Sequence, residues 1–287
     1  MSKGVSGDVG TGGPVREVGE GSAPALRFPE FEGEWEEKRL GKIAKISSGG
    51  TPNRGDPNYW GTEVPWVTTS EIGIAKIKET AQSISVEGLE NSSAKIFEIG
   101  TVLMAMYGQG KTRGRVSVLG IRSSTNQACA AIIPDENLSS QFCYFNLFSR
   151  YQELRSLAND GGQKNLSGGL IKKLQFTLPS LPEQKKIAAF LGVVDDKLAA
   201  LTAKRDLLTD YKRGVMQKLF SQELRFTKPN GQPFPDWEEK RLGELGNFVG
   251  GGTPDTDNVE YWTGEIPWIS SSDILEGKIT SPKITRG

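Results

Sequence analysis

The chain has 287 residues, 35 Lys/Arg balanced by 35 Asp/Glu, no histidine and 36% hydrophobic residues. This is globular composition; the zero net charge excludes a histone-like polycation, and the missing histidine excludes Ser-His-Asp or Cys-His catalysis and a His-liganded zinc. No apolar run approaches the ~18–20 residues of a membrane span, and two well-separated cysteines, Cys129 and Cys143, make no disulfide framework, so a cytoplasmic protein that does not engage membranes is expected.

In chain order, residues 1–27 are Gly-rich and polar, lack the apolar core of a signal peptide, and are predicted disordered. Residues 28–180 are predicted to form an α+β domain, with β-rich runs over Gly100–Tyr107 and Val116–Ile121 and a helix over Ser140–Leu157. From 181 to 222 the texture changes. Ile187, Val194, Leu201, Leu208 and Val215 recur at seven-residue steps, and Leu191, Leu198 and Leu219 fall four residues after members of that series. This is the seam of a coiled coil, loosened where Arg205 and Lys212 interrupt it. Ser180 and Glu183 read as a capping box for this helix, with Pro182 in its first turn. At ~1.5 Å per residue such a helix is a rod of nearly 60 Å. A turn-rich linker follows over 223–236.

The last segment, 237–287, repeats the first domain. Trp35-Glu-Glu-Lys-Arg-Leu-Gly41 recurs as Trp237-Glu-Glu-Lys-Arg-Leu-Gly243, Gly49-Gly-Thr-Pro52 as Gly251-Gly-Thr-Pro254, Tyr59-Trp60 as Tyr261-Trp262, and Glu63-Val-Pro-Trp66 as Glu265-Ile-Pro-Trp268. Every pair is 202 residues apart without a gap, and 18 of 38 positions are identical across 35–72 and 237–274. A period this long marks a duplicated domain and not a solenoid. The second copy is expected to be incomplete.

Basic residues concentrate between Thr101 and Gln175, nine Lys/Arg against four Asp/Glu, and a local patch can bind phosphates in a neutral chain. Within it, Gly108–Arg115 joins backbone freedom to donors: Lys111, Thr112, Arg113 and Arg115 suit phosphates, and Arg also pairs with guanine. Gln109 and Asn126 suit adenine edges. Thr68, Thr69 and Ser70 can donate to phosphates, and Gln163, Lys164 and Asn165 lie on a second glycine-flexed loop. Trp35, Trp60 and Trp66 are expected in the core. Two other readings stand beside DNA binding. Ala105–Thr112 fits a relaxed P-loop and so a P-loop ATPase, although strand and turn, not a helix, should follow Thr112. The heptads alone fit a coiled-coil scaffold without DNA readout.

The spacer opening Leu181-Pro-Glu-Gln-Lys-Lys-Ile-Ala188, the later Lys212-Arg-Gly-Val-Met-Gln-Lys-Leu-Phe220, and Met106-Tyr-Gly-Gln-Gly110, Thr112-Arg-Gly-Arg115, Thr125-Asn-Gln-Ala128 and Gly162-Gln-Lys-Asn-Leu-Ser167 resemble the specificity (HsdS-type) subunits of type I restriction-modification systems. The resemblance covers about 28–287. It implies a non-catalytic subunit with target-recognition domains on spacer helices, each domain reading half of a split double-stranded DNA site. It implies methyltransferase (M) partners carrying S-adenosylmethionine and a motor-nuclease (R) partner using ATP and Mg, with no cofactor on this chain. The family pairs two recognition domains and two spacer helices; with the second domain and helix missing, a lone half would either homodimerise through its helix and read a palindromic split site or be a fragment without independent activity.

Overall fold

The computed structural model describes residues 24, 26–108, 111–157, 165–263, 265–274 and 284–286. The chain divides into two compact units, Met1–Asp210 and Tyr211–Gly287. The first contains β1 (Glu36–Arg39), α1 (Leu40–Ile43), β2 (Ala44–Ser48), β3 (Trp60–Val67), β4 (Lys76–Ile77), β5 (Gln82–Ile84), α2 (Val86–Glu90), β6 (Val102–Ala105), β7 (Val116–Leu119), β8 (Ser124–Thr125), β9 (Cys129–Pro134), α3 (Ser140–Ser149), α4 (Tyr151–Ser156), α5 (Gly168–Lys173) and β10 (Gln175–Leu178). The long helix α6 (Leu181–Phe220) runs into the second unit, which adds α7 (Leu242–Leu245), β11 (Ile266–Trp268) and β12 (Ile284–Arg286). The fold is α+β, as the sequence predicts.

A five-stranded sheet of order β2-β9-β6-β7-β4 forms the centre, flanked by a three-stranded sheet β5-β3-β8 and the pair β1-β10. Side chains alternate across a strand. Val102, Met104, Val116, Val118, Ala130 and Ile132 therefore enter a core with Phe142, Leu147 and Leu154 of the helical layer. Leu103, Ala105, Leu119, Cys129 and Ala131 enter a second core with Val67, Ile72 and Phe97. Because both faces are covered, these strands read as unbroken apolar runs and not as alternating ones. Cys129 and Cys143 are buried and unpaired.

Three local expectations are corrected. The helix expected over Ser140–Leu157 is two helices broken at Arg150 (φ −95°, ψ 18°); there the Arg150 guanidinium reaches the Gln175 carbonyl at 2.6 Å and both carboxylate oxygens of Glu153. Glu183 is not part of a capping box: it is fully buried, and its two oxygens accept from Arg27 Nε and Nη2 at 2.8 and 2.7 Å. Arg27, placed by sequence in the disordered leader, is thus tied to the foot of α6, and Phe28 packs edge-on against Phe190 at 6.2 Å.

Helix α6 is continuous over 40 residues. Its first turns are part of the first core, through Ile187 and Ala188. Leu191 is half-buried, and beyond it the seam emerges: Val194, Leu198, Leu201 and Leu208 are exposed by 42 to 57%. Val215 and Leu219 are half-buried. The helix ends where Gln222 adopts φ 63° and Leu224 N donates back to the Lys218 carbonyl, a left-handed exit of the kind that satisfies last-turn carbonyls.

The second unit reproduces the first at the same offset of 202. Helix α7 stands where α1 does, and 3-10 turns at Val259–Trp262 and Ser271–Asp273 match those at Pro57–Tyr59 and Thr69–Glu71. The indoles of Trp60 and Trp66 meet edge-on at 5.2 Å and 87°, those of Trp262 and Trp268 at 5.7 Å and 77°. Strand pairing extends the match beyond the residues whose identity reveals it. Pro65 pairs with Ser83 and Trp66 with Gln82; Pro267 pairs with Thr285 and Trp268 with Ile284.

Candidate nucleic-acid interface

Strand direction brings the candidate loops to one rim. β3 and β8 run parallel, Trp66 beside Ser124 and Val67 beside Thr125, so the turn Thr68–Ser70 and the loop Asn126–Ala128 leave the same end. Asn126 N donates to the Val67 carbonyl at 3.0 Å. β6 is antiparallel to both β9 and β7, which sets its exit at Met106 beside Ala128: Met106 N donates to the Ala128 carbonyl at 2.9 Å and Leu166 N to the Met106 carbonyl at 3.0 Å. The repeated Gly-Gly-Thr-Pro loop closes the rim. Gly50 N donates to the Thr125 carbonyl at 2.9 Å, and Thr51 Oγ1 donates to Gln127 Oε1 at 2.5 Å. A Cβ at Gly49 would lie 1.9 Å from the Thr125 oxygen, so only glycine permits this approach.

On this rim Ser70, Lys111 and Arg115 are exposed. Arg115 lays its Cδ and the Nε and Nη1 of its guanidinium against Gly73. The chain re-enters β7 through Gly114, whose φ of +82° lies in the left-handed region and whose N donates to the Ala105 carbonyl. Thr69, Thr112 and Asn165 are half-buried. Other candidates are engaged by the fold. Thr68 donates its amide and hydroxyl to Glu71 Oε2 at 2.7 and 2.9 Å, capping the 3-10 turn. Asn126 Oδ1 accepts from Ala128 N at 3.1 Å and Cys129 Sγ at 3.2 Å, and so shapes its own loop. Arg113 turns inward: Nη2 donates to the Arg155 carbonyl at 2.6 Å, and its buried Nε has no hydrogen-bond partner. Gln109, Gln163 and Lys164 lie outside the described residues. Trp66 is fully buried, with Nε1 donating to the Gly50 carbonyl at 3.0 Å, while Trp60 and Trp35 are half-buried.

Sequence reasoning overlooked Arg54, Thr51 and Gln127. Gln127 adjoins a candidate, and Arg54 lies in the short non-identical stretch between two repeated motifs. Burial beneath Glu71 pushes the Cys129 thiol up to about 12, desolvation being the larger cause and the Glu71 charge the smaller.

The P-loop alternative lacks the helix it needs after Thr112. Lys111–Gly114 is a turn that leads into strand β7, where a P-loop would open a helix. A cavity of about 420 Å³ sits at the foot of α6, walled by Leu26, Phe28, Trp35, Ile187, Phe190 and Leu191 among others. It is apolar and away from the rim. No group of three or more Cys, Asp or Glu able to hold a metal occurs among the described residues, and no helix among them is long and apolar enough to cross a membrane.

A doubly covered sheet with a polar rim leads into one long helix. The profile of the family described as "Type I restriction modification DNA specificity domain" matches residues 32–209 and 235–286, and the chain belongs to that family. Over 257 residues it is 23% identical to the type I restriction enzyme MjaIX specificity subunit of Methanocaldococcus jannaschii, covering 85% of this chain and 59% of that protein. It is 26% identical over 181 residues to the EcoR124I/EcoR124II specificity subunit of Escherichia coli, covering 62% and 44%. The chain therefore spans about half the length of the curated relatives it matches. A solved chain, from work on complex assembly and conformational transition of the type I R-M system, shares the fold with a TM-score of 0.52 at 22% identity, over 70% of this chain and 48% of that one.

Proposed function

We propose that this chain is a non-catalytic, cytoplasmic DNA-recognition subunit that reads one half of a bipartite double-stranded site. The observation that carries this reading is the convergence of residues 49–54, 68–70, 106–108 with 111–115, and 126–128 on one rim where Lys111 and Arg115 stand exposed. Phosphate contacts by such cations position a protein, and the uncharged side chains beside them reach base edges. Methyltransferase subunits bring S-adenosylmethionine, and a motor-nuclease subunit brings ATP and Mg; this chain holds none of them. The exposed stripe Val194–Leu208 on α6 is the face for a second helix, supplied by another copy of this chain or by the remainder of a longer subunit.

The test is to express the chain with its methyltransferase partner and map methylated bases in the host DNA. A gapped palindrome supports recognition by a homodimer, and an asymmetric split site supports a longer subunit. Methylation without sequence preference would refute recognition by this rim. It would favour the scaffold reading, which the same exposed seam supports.

A further inference from the structure

We infer that Arg54 is a DNA-backbone clamp that belongs to the first recognition domain and has no counterpart in the second. The inference rests on the DNA-recognition reading and adds a residue that this reading did not include.

Arg54 is exposed, yet its guanidinium is held in place. Its Cζ lies 4.9 Å from the ring centre of Trp60 and 5.4 Å from that of Trp66. The two indoles stand edge to face, so the cation sits over a right-angled aromatic corner. The loop beneath it is fixed at several points. Trp60 Nε1 donates to the Asn53 carbonyl, Asn53 Oδ1 accepts from Gly55 N, and Asp56 Oδ1 caps the following 3-10 turn. Three and four residues before Arg54, the same loop joins the rim through Thr51 and Gly50. Among the described residues no carboxylate pairs with Arg54. A guanidinium held against two aromatic rings loses less freedom on binding than a free one, and its N–H groups can still donate to a further partner. A phosphate of duplex DNA is the ligand that suits such donors.

A guanidinium over two indoles can also serve only as a lid on the core. The repeat supplies the control. In the second copy the tryptophan pair is kept, Trp262 Nε1 donates to the Asp255 carbonyl at 3.0 Å, and Asn258 caps the matching turn. The residue in the place of Arg54 is Thr256. At that loop position the second copy keeps the tryptophan pair with threonine in place of the arginine.

The experiment uses the full chain with its methyltransferase partner and a duplex carrying the methylated site, with affinity measured from 50 to 200 mM NaCl. Arg54→Thr, the residue the second copy carries, is expected to weaken binding to the site and to single-base variants of it alike. It should also reduce the slope of log K against log salt by about 0.9, so that the deficit narrows about 3.5-fold across this range. Arg54→Gln removes the charge but keeps a planar group over the indoles. It decides the matter by the same slope if the threonine variant proves unstable. Unchanged affinity and slope would make Arg54 a lid and overturn the inference. A loss confined to one base position would overturn the backbone assignment. Absence of site-specific binding by the unsubstituted complex is a separate result, and it would count against DNA recognition itself.

Discussion

Gln184 offers the sharpest test of how α6 is set into the first domain. Its side chain is 1% exposed, Oε1 accepts from Ser139 N at 2.9 Å, and Nε2 donates to the carbonyls of Asn137 at 3.0 Å and Pro179 at 2.9 Å. One amide thus joins the N-terminus of α3, the exit of β10 and the first turn of the long helix. Gln184→Ala leaves three backbone groups without it. Asn137 is exposed and regains water, but the half-buried Ser139 and buried Pro179 do so poorly. At about 1–3 kcal/mol for each buried group left unsatisfied, the loss is about 2–5 kcal/mol. For a domain of this size that is a fall in Tm of about 5–15 °C. Urea unfolding followed by near-ultraviolet dichroism should show an earlier midpoint with an unchanged m-value. Gln184→Glu is a better control than any truncation. It keeps the volume but exchanges the donor for a carboxylate facing two carbonyls, so the damage should be at least as great. Lys185→Ala, one residue on and exposed, should be silent. A glutamate variant as stable as the unsubstituted chain would refute the claim that this amide fastens the helix.

Three further outcomes are expected. Burial raises the thiols of Cys129 and Cys143 from 9.0 to about 12, so the thiolate is about 1000-fold scarcer than for a free cysteine near pH 8; neither should react with iodoacetamide until the chain is unfolded, and fast labelling of the native protein would contradict the packing. Leu198→Asp with Leu201→Asp, at positions 57% and 50% exposed, should leave folding of the domain intact and abolish assembly through α6, as read by sedimentation; an unchanged profile would remove the seam from any interface. Arg115→Ala should weaken DNA binding without lowering Tm, whereas Arg113→Ala should lower Tm, because only Arg113 is bonded into the fold through the Arg155 carbonyl; equal effects on both properties would erase the distinction.

The features legible in the sequence were those carried by period or identity. The seven-residue step announced α6, the continuous apolar runs announced β6 and β7, and the 202-residue echo announced the second copy. Pairings between distant residues left no such trace. Glu183 looked like a capping residue because its spacing from Ser180 fits one; its real partner, Arg27, is 156 positions away. Arg113 and Arg115 are indistinguishable in a basic run, and only the neighbouring α4 turns one inward. Arg54 carried no motif at all, and its meaning comes from two indoles that the fold places beneath it.

The duplication separates what must be kept from what can vary. Identical positions are those the frame needs: the glycine that presses against Thr125, the tryptophans that form the corner, and the proline and tryptophan that hold the register of β3 against β5. Where the copies differ, the frame survives. Glu71 becomes Asp273, and the capping box still closes, on Ser270 instead of Thr68. Asn53-Arg-Gly-Asp56 becomes Asp255-Thr-Asp-Asn258, and the 3-10 turn still forms behind it. Its charges differ sharply, one cation and one acid in the first copy against two acids in the second. A loop whose backbone is fixed from behind by aromatic packing can therefore exchange its outward residues at little cost to stability. A fold arranged in this way can change its outward side chains without changing how it folds.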